Sequence, residues 1–174
     1  MRVVVVYESM YGNTHLIADA VADGLRAAAD VVVVPVGRAT PELVAGADLL
    51  VVGGPTHAHG MVRPATRQAA VEGARKPESG LRLDPDAEGA TLRDWLSSPG
   101  PLSVAAVAFD TRIRISAVLS GRASKHIAKL LRQRGCRLVA EPESFFVTKE
   151  NCLDEGEEDR AREWGAQLVA RAAA

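Results

Sequence analysis

The sequence holds only two cysteines, Cys136 and Cys152, and they form neither a CxxC pair nor a zinc pattern. A disulfide scaffold and a structural zinc site are therefore excluded, and a reduced cytosolic setting is the simplest one for two lone thiols. An excess of charge is also missing, because 21 Lys and Arg stand against 22 Asp and Glu. That leaves no electrostatic footprint for nucleic acid and no polybasic patch for a membrane surface. The apolar run in the opening MRVVVVYES is too short for a membrane span or for the hydrophobic region of a signal peptide. Neither the GxxxxGK[ST] phosphate loop nor the GxGxxG dinucleotide fingerprint is present. No CxxxxxR thiolate loop occurs, and the acidic pair of a phospho-receiver is missing, since Glu8 stands alone and Asp48 opens a strand instead of closing it.

What is present is an alternation. A continuous β-branched run over residues 2–7 reads as a strand buried on both faces of a parallel sheet. From Thr14 to Ala29, Leu16, Ile17, Ala20, Val21, Leu25 and Ala28 fall at helical spacing. Further strands are expected at 31–36 (an edge, because of Pro35), at 49–52 running into Gly53-Gly54-Pro55, at 102–109, and at 137–147 with an irregularity at Pro142. Helices are expected at 41–46, 91–97, 120–134 (ended by Gly135) and 157–172. Strand followed by helix, five times over, predicts a doubly wound α/β fold with a five-stranded parallel sheet in the order 2-1-3-4-5 and helices on both faces. Residues 1–174 then form a single domain, with a Gly-, Pro- and charge-rich surface insertion at about 72–90.

In such a sheet ligands bind at the carboxyl ends of the strands, where the winding direction reverses. Three loops meet there: 8–14, 54–63 and 110–120. The first contains Ser9-Met10-Tyr11-Gly12-Asn13-Thr14. Its hydroxyl and amide donors, a glycine that lets backbone N–H groups converge, and the start of a helix together describe an anion site. No Lys or Arg lies in the loop, so dipoles alone would hold the anion. A polar N-cap with no ligand is the plainer alternative. His57 and His59 have no third or fourth ligand nearby in sequence, which argues against a metal.

YESMYGNT after the first strand and GGPTHAHGM after the third resemble the phosphate loop and first flavin loop of flavodoxin-like proteins, with Tyr11 placed as in WrbA-type quinone reductases. The ending GCRLVAEPESFFV is similar to the last strand of a short-chain flavodoxin. The resemblance implies flavin mononucleotide (FMN) as cofactor. Ser9, Met10, Tyr11, Gly12, Asn13 and Thr14 would then hold its phosphate. Pro55, Thr56, His57, Ala58, His59 and Gly60 would line the ring, and Phe109, Asp110, Thr111 and Arg112 would begin the second flavin loop.

Three departures from the family pattern bear on function. His57 stands where flavodoxins often place a Trp, and the second loop has no aromatic after Phe109, so stacking is lost and one face of the ring is left open. Arg63, Arg112 and Arg114 occur where carriers are usually acidic, which predicts a less negative potential if they face the ring. Ala58 occupies the position of a glycine that turns its peptide toward the flavin, with Gly60 as a stand-in if the loop is shifted. The resemblance implies a cytosolic electron carrier between redox proteins. The rival is an NAD(P)H-dependent reductase of quinones or other small molecules, and a third reading is an FMN-free interaction module. Oligomeric state stays open.

Overall fold

The computed structural model describes residues 1–57 and 60–173. Its sheet is parallel throughout, with β2 (Asp30–Pro35), β1 (Arg2–Tyr7), β3 (Leu49–Pro55) and β4 (Ala105–Ile113) side by side in that order. Beyond β4 the sheet ends in one interrupted strand, β5 (Arg137–Leu138) and β6 (Glu143–Val147), both pairing with β4. The break falls before Pro142, which has no N–H to give the ladder. The order is the one that the alternation predicts.

Period-two alternation sorts the strand residues onto two faces. Val4, Val6, Leu50, Val52, Ala106 and Ala108 meet α2 (Pro41–Ala45), α4 (Leu92–Ser97) and α6 (Ala123–Gln133). Val3, Val5, Leu49, Val51, Val107 and Phe109 meet α1 (Asn13–Leu25) and α7 (Glu157–Ala173). On that second face Phe109, Phe145 and Trp164 pack edge to face, with centroids 5.8–6.3 Å apart. The helices α1 and α7 touch through glycines. A Cβ on Gly24 would lie 1.9 Å from the Arg162 carbonyl oxygen, and one on Gly165 would lie 2.2 Å from that of Val21.

Several details differ from the sequence expectations. Leu16 is exposed, because the buried stripe of α1 runs through Thr14, Ile17, Val21 and Leu25 and leaves Leu16 to one side. The strand β4 extends to Ile113, since residues 109–113 pair with β6. The helix expected over 120–134 is split into α5 (Ala117–Ser120) and α6, with Gly121 at φ 74° between them. Gly135, at φ 81°, closes α6: its N–H donates to Arg132 and the next N–H, of Cys136, reaches back to Leu131. A helix that periodicity did not predict, α3 (Pro64–Ala74), begins at a proline and leads into the 72–90 segment.

That segment packs against the first loop. Asp84 and Ala87 are buried, and the Asp84 N–H donates to the Met10 carbonyl at 2.8 Å. Tyr7 donates to Asp86 at 3.0 Å, His15 lies 3.0 Å from the Tyr7 hydroxyl, and the other His15 nitrogen is 3.1 Å from Asp84. Burial first, then the Asp86 hydrogen bond and the charges of Asp86, Asp84 and Asp19, raises the Tyr7 phenol above its ordinary range. This network ties the segment to the end of β1 and the first turn of α1.

Candidate cofactor site

At the carboxyl ends of β1, β3 and β4 lies a cavity of about 260 Å³. Ser9, Met10, Tyr11, Asn13 and Thr14 line it from the first loop, Pro55, Thr56 and His57 from the second, and Thr111 from β4. Nine residues expected from the sequence are thus brought to one place. Gly12 stands at the head of α1 at φ 92°, a conformation that a side chain makes costly.

The first loop is supported from beneath. Glu8 is buried, yet its carboxylate accepts from Arg67 at 2.6 Å and from the Leu92 N–H at 3.1 Å. Burial raises the Glu8 carboxyl above its usual range, and the Leu92 and Arg67 hydrogen bonds offset this in part. Ser9 accepts from the Gly12 N–H at 3.1 Å, which leaves its own hydroxyl hydrogen available. Thr14 and Thr111 share a hydrogen bond of 2.7 Å across the floor. As in any helix, the first N–H groups of α1 have no partner within the helix, and they face this end of the sheet with the positive end of the dipole. Among the described residues, the walls carry hydroxyls, amides and one imidazole but no Lys or Arg. Such a donor set suits a phosphate monoester held by dipoles.

The other wall is looser. His57 exchanges hydrogen bonds with Gly60, N–H to carbonyl at 2.8 and 3.0 Å in the two directions. Burial lowers the His57 pKa, so its imidazole is neutral at pH 7. Tyr11 is the nearest aromatic, its ring centroid 6.5 Å from that of His57, and its hydroxyl donates to the Ala70 carbonyl at 3.1 Å. Ile113, 42% exposed, is part of the cavity lining.

Other expected site residues lie elsewhere. Phe109 is fully buried in the core, and a Cβ on Gly53 would strike its ring. Asp110, also fully buried, accepts from Thr56 at 3.1 Å and from the Ser124 N–H at 2.8 Å, so it anchors the head of α6. Arg112 donates to the Ile115 carbonyl and to Ser120, and its guanidinium stacks 4.8 Å over Phe146. Arg114 pairs with Asp154 at 2.6 Å. Neither arginine lines the cavity. Ala58 and His59 lie outside the described residues.

Ile113, Val147 and Asn151 line the cavity without having been expected. The Asn151 carbonyl accepts from the Asn13 side chain at 3.0 Å, and Asn151 itself sits at φ 60°, which asparagine tolerates better than most residues. The polar stretch Thr148-Lys149-Glu150-Asn151 before the last helix was a turn signal that could have pointed to it.

The flavodoxin family model matches residues 5–90. A search of curated proteins found no match. Among solved structures, oxidised Flavodoxin 1 from Bacillus cereus superposes with a TM-score of 0.66 at 19% identity, covering 98% of each chain. The WrbA-like flavodoxin from Agrobacterium tumefaciens gives 0.57 at 20% identity, over 99% of this chain and 97% of that one. The flavodiiron protein from Giardia intestinalis gives 0.62 at 23% identity, where 99% of this chain covers 36% of the larger one. The first two loops lie inside the segment that the flavodoxin model matches, and the chain shares the flavodoxin fold from end to end.

Proposed function

We propose that this protein binds FMN in the cavity of about 260 Å³ and passes electrons between redox partners. The observation that carries the reading is the cation-free phosphate cradle: Ser9, Gly12, Asn13 and Thr14 at the head of α1, braced by buried Glu8. When bound, the flavin supplies the electron-transfer chemistry, and the protein supplies binding, orientation and surroundings.

The cradle residues would hold the phosphate through N–H and O–H donors. Thr56 and the neutral His57 would contact the ring without adding charge. A volume just below the roughly 300–1,000 Å³ of pockets that enclose a ligand suits a cofactor with one edge in water. The exposed Ile113 in the lining leaves that edge accessible to a partner. With Arg112 and Arg114 tied into the second loop, no guanidinium in that loop is free to stabilise a reduced anion. This favours the carrier over the NAD(P)H-dependent reductase.

Two measurements test the reading. FMN fluorescence should be quenched on adding the protein at micromolar concentration, and no quenching would sink it. In an anaerobic reductive titration of the FMN-loaded protein, a carrier should show a long-wavelength absorbance band that rises and then falls. Direct bleaching with no such band would favour the reductase. The unpaired thiols Cys136 and Cys152 fit a reduced, cytosolic compartment.

A further inference from the structure

Gly60, the bridge partner of His57, also borders a second hollow. It is a cleft of about 200 Å³ lined by Gly60, Met61, Arg63, Arg93, His126 and Lys129. We propose that this cleft and the adjoining face of α6 form the docking surface for an acidic electron-carrier protein. The inference rests on the redox reading above.

Pairing is the first argument. Arg67, Arg114, Arg160 and Arg162 each lie within 4.0 Å of a carboxylate. Among the described residues, Arg63, Arg93, His126 and Lys129 have no such partner. Within α6 the sequence ASKHIAKLLRQ carries Lys125, His126, Lys129 and Arg132 without one acid, and Asp94, next to Arg93 on α4, is turned to the Thr91 hydroxyl at 2.7 Å. The chain as a whole is nearly neutral, so this is segregation of charge and not a general excess.

Place is the second. His57, which lines the cavity, and Gly60, which lines the cleft, are bridge partners of each other. His126 leans on Gly60: a Cβ there would come within 3.2 Å of Nδ1. A partner seated on the cleft therefore lies directly beside the cofactor site. Such a complex would move one electron from the partner's reduced centre to the flavin, oxidising the first and reducing the second, with no bond made or broken.

The form of the charge argues for a protein and against a small anion. Arg63, His126 and Lys129 are exposed, and Lys125, Lys129 and Arg132 repeat along one side of α6 over roughly 10 Å. Exposed, spread charges act at a distance and steer encounter with an oppositely charged surface. A site for a small anion would instead gather desolvated donors on one point.

Calorimetric titration of the FMN-loaded protein with an oxidised acidic [2Fe–2S] ferredoxin, and in parallel with basic cytochrome c, tests this. Ferredoxin should bind at low salt and weaken at about 0.15 M, where charges are screened beyond ~8 Å. Cytochrome c should bind at least about tenfold more weakly. The double variant Arg63→Glu, Lys129→Glu should lose about tenfold or more in ferredoxin affinity. Arg171→Glu on α7, across the sheet, should lose none. Equal binding by the double variant, a preference for cytochrome c, or no ferredoxin binding would each overturn the proposal. So would inorganic pyrophosphate binding that the double variant abolishes while ferredoxin binding survives. FMN quenching is recorded for every variant. Loss of quenching in the parent protein would defeat the redox reading, whereas ferredoxin binding by the apoprotein would still report on the docking surface.

Discussion

Residues 8–14 and residues 110–120 flank the same cavity but are built in opposite ways. The first loop is sealed: Glu8, Ser9, Met10 and Thr14 are all buried, and a carboxylate, a guanidinium and the 72–90 segment hold it from below. The second is open after Thr111, with Ile113, Ile115 and Leu119 exposed and its arginines engaged by carbonyls, Ser120 and the half-buried Asp154. Rigidity at one end and access at the other is what a bound electron carrier needs. A cofactor must be gripped where it does nothing and left accessible where it reacts.

Four changes would break or sharpen that contrast. Glu8→Ala should have the largest effect, because it leaves the largely buried Arg67 guanidinium with carbonyl partners but no counter-charge and leaves the Leu92 N–H unpaired. Breaking a buried pair in this way costs about 3–5 kcal/mol, read from the denaturant midpoint at constant m-value. Glu8→Gln, which keeps an acceptor, should lose less. Next, Gly12→Ala meets no steric obstacle but forces a Cβ into a left-handed conformation. A cost of about 1–2 kcal/mol is expected, and FMN affinity should fall roughly tenfold in a fluorescence titration. Third, Ile113→Tyr would give the open end the ring cover it lacks, and FMN should bind more tightly by about 0.5–1.5 kcal/mol. No gain would mean that this position does not face the flavin. Smallest, Asp154→Ala at the exposed Arg114 pair should change stability by no more than about 1 kcal/mol. If it matched Glu8→Ala, the contrast between the two loops would collapse.

A pH series separates the walls in another way. Burial lowers the folded-state pKa of His57, so proton uptake is weaker in the folded protein than in the unfolded chain. Its contribution is therefore complete above the ordinary histidine value of about 6.5 and is lost as pH falls through the lowered folded value. Denaturant midpoints between about pH 8 and 5 should show that decline, and His57→Asn should flatten it.

The sheet order was legible because each strand of the parallel core is a short apolar run and each covering helix has a stripe, from Val3–Val6 to Ala161, Trp164 and Leu168. The first loop was legible because its polar residues follow a buried strand, where only a ligand or a cap explains them. The end of β4 was not, because Asp110 and Arg112 look like loop residues until their partners are seen at Ser124 and Phe146. The packing of 72–90 was hidden for a similar reason. Its glycines, prolines and charges mark irregular backbone, while Asp84 and Asp86 find Tyr7 and His15 only in the folded chain.

The glycine contact between α1 and α7 has a kinetic meaning. Gly24 meets Arg162, and Gly165 meets Val21, across nearly the whole sequence. Closing so long a loop is entropically slow and is rewarded only when it is complete. The segment that carries the family signature, residues 5–90, thus ends before the helix that seats its own α1. Cut off from α7, that segment would expose the side of α1 around Val21 and Gly24 that α7 covers. The proposed phosphate cradle at the head of α1 is accordingly expected to order only once the two distant ends of the chain have met, so that in refolding FMN quenching should not precede the burial of Trp164.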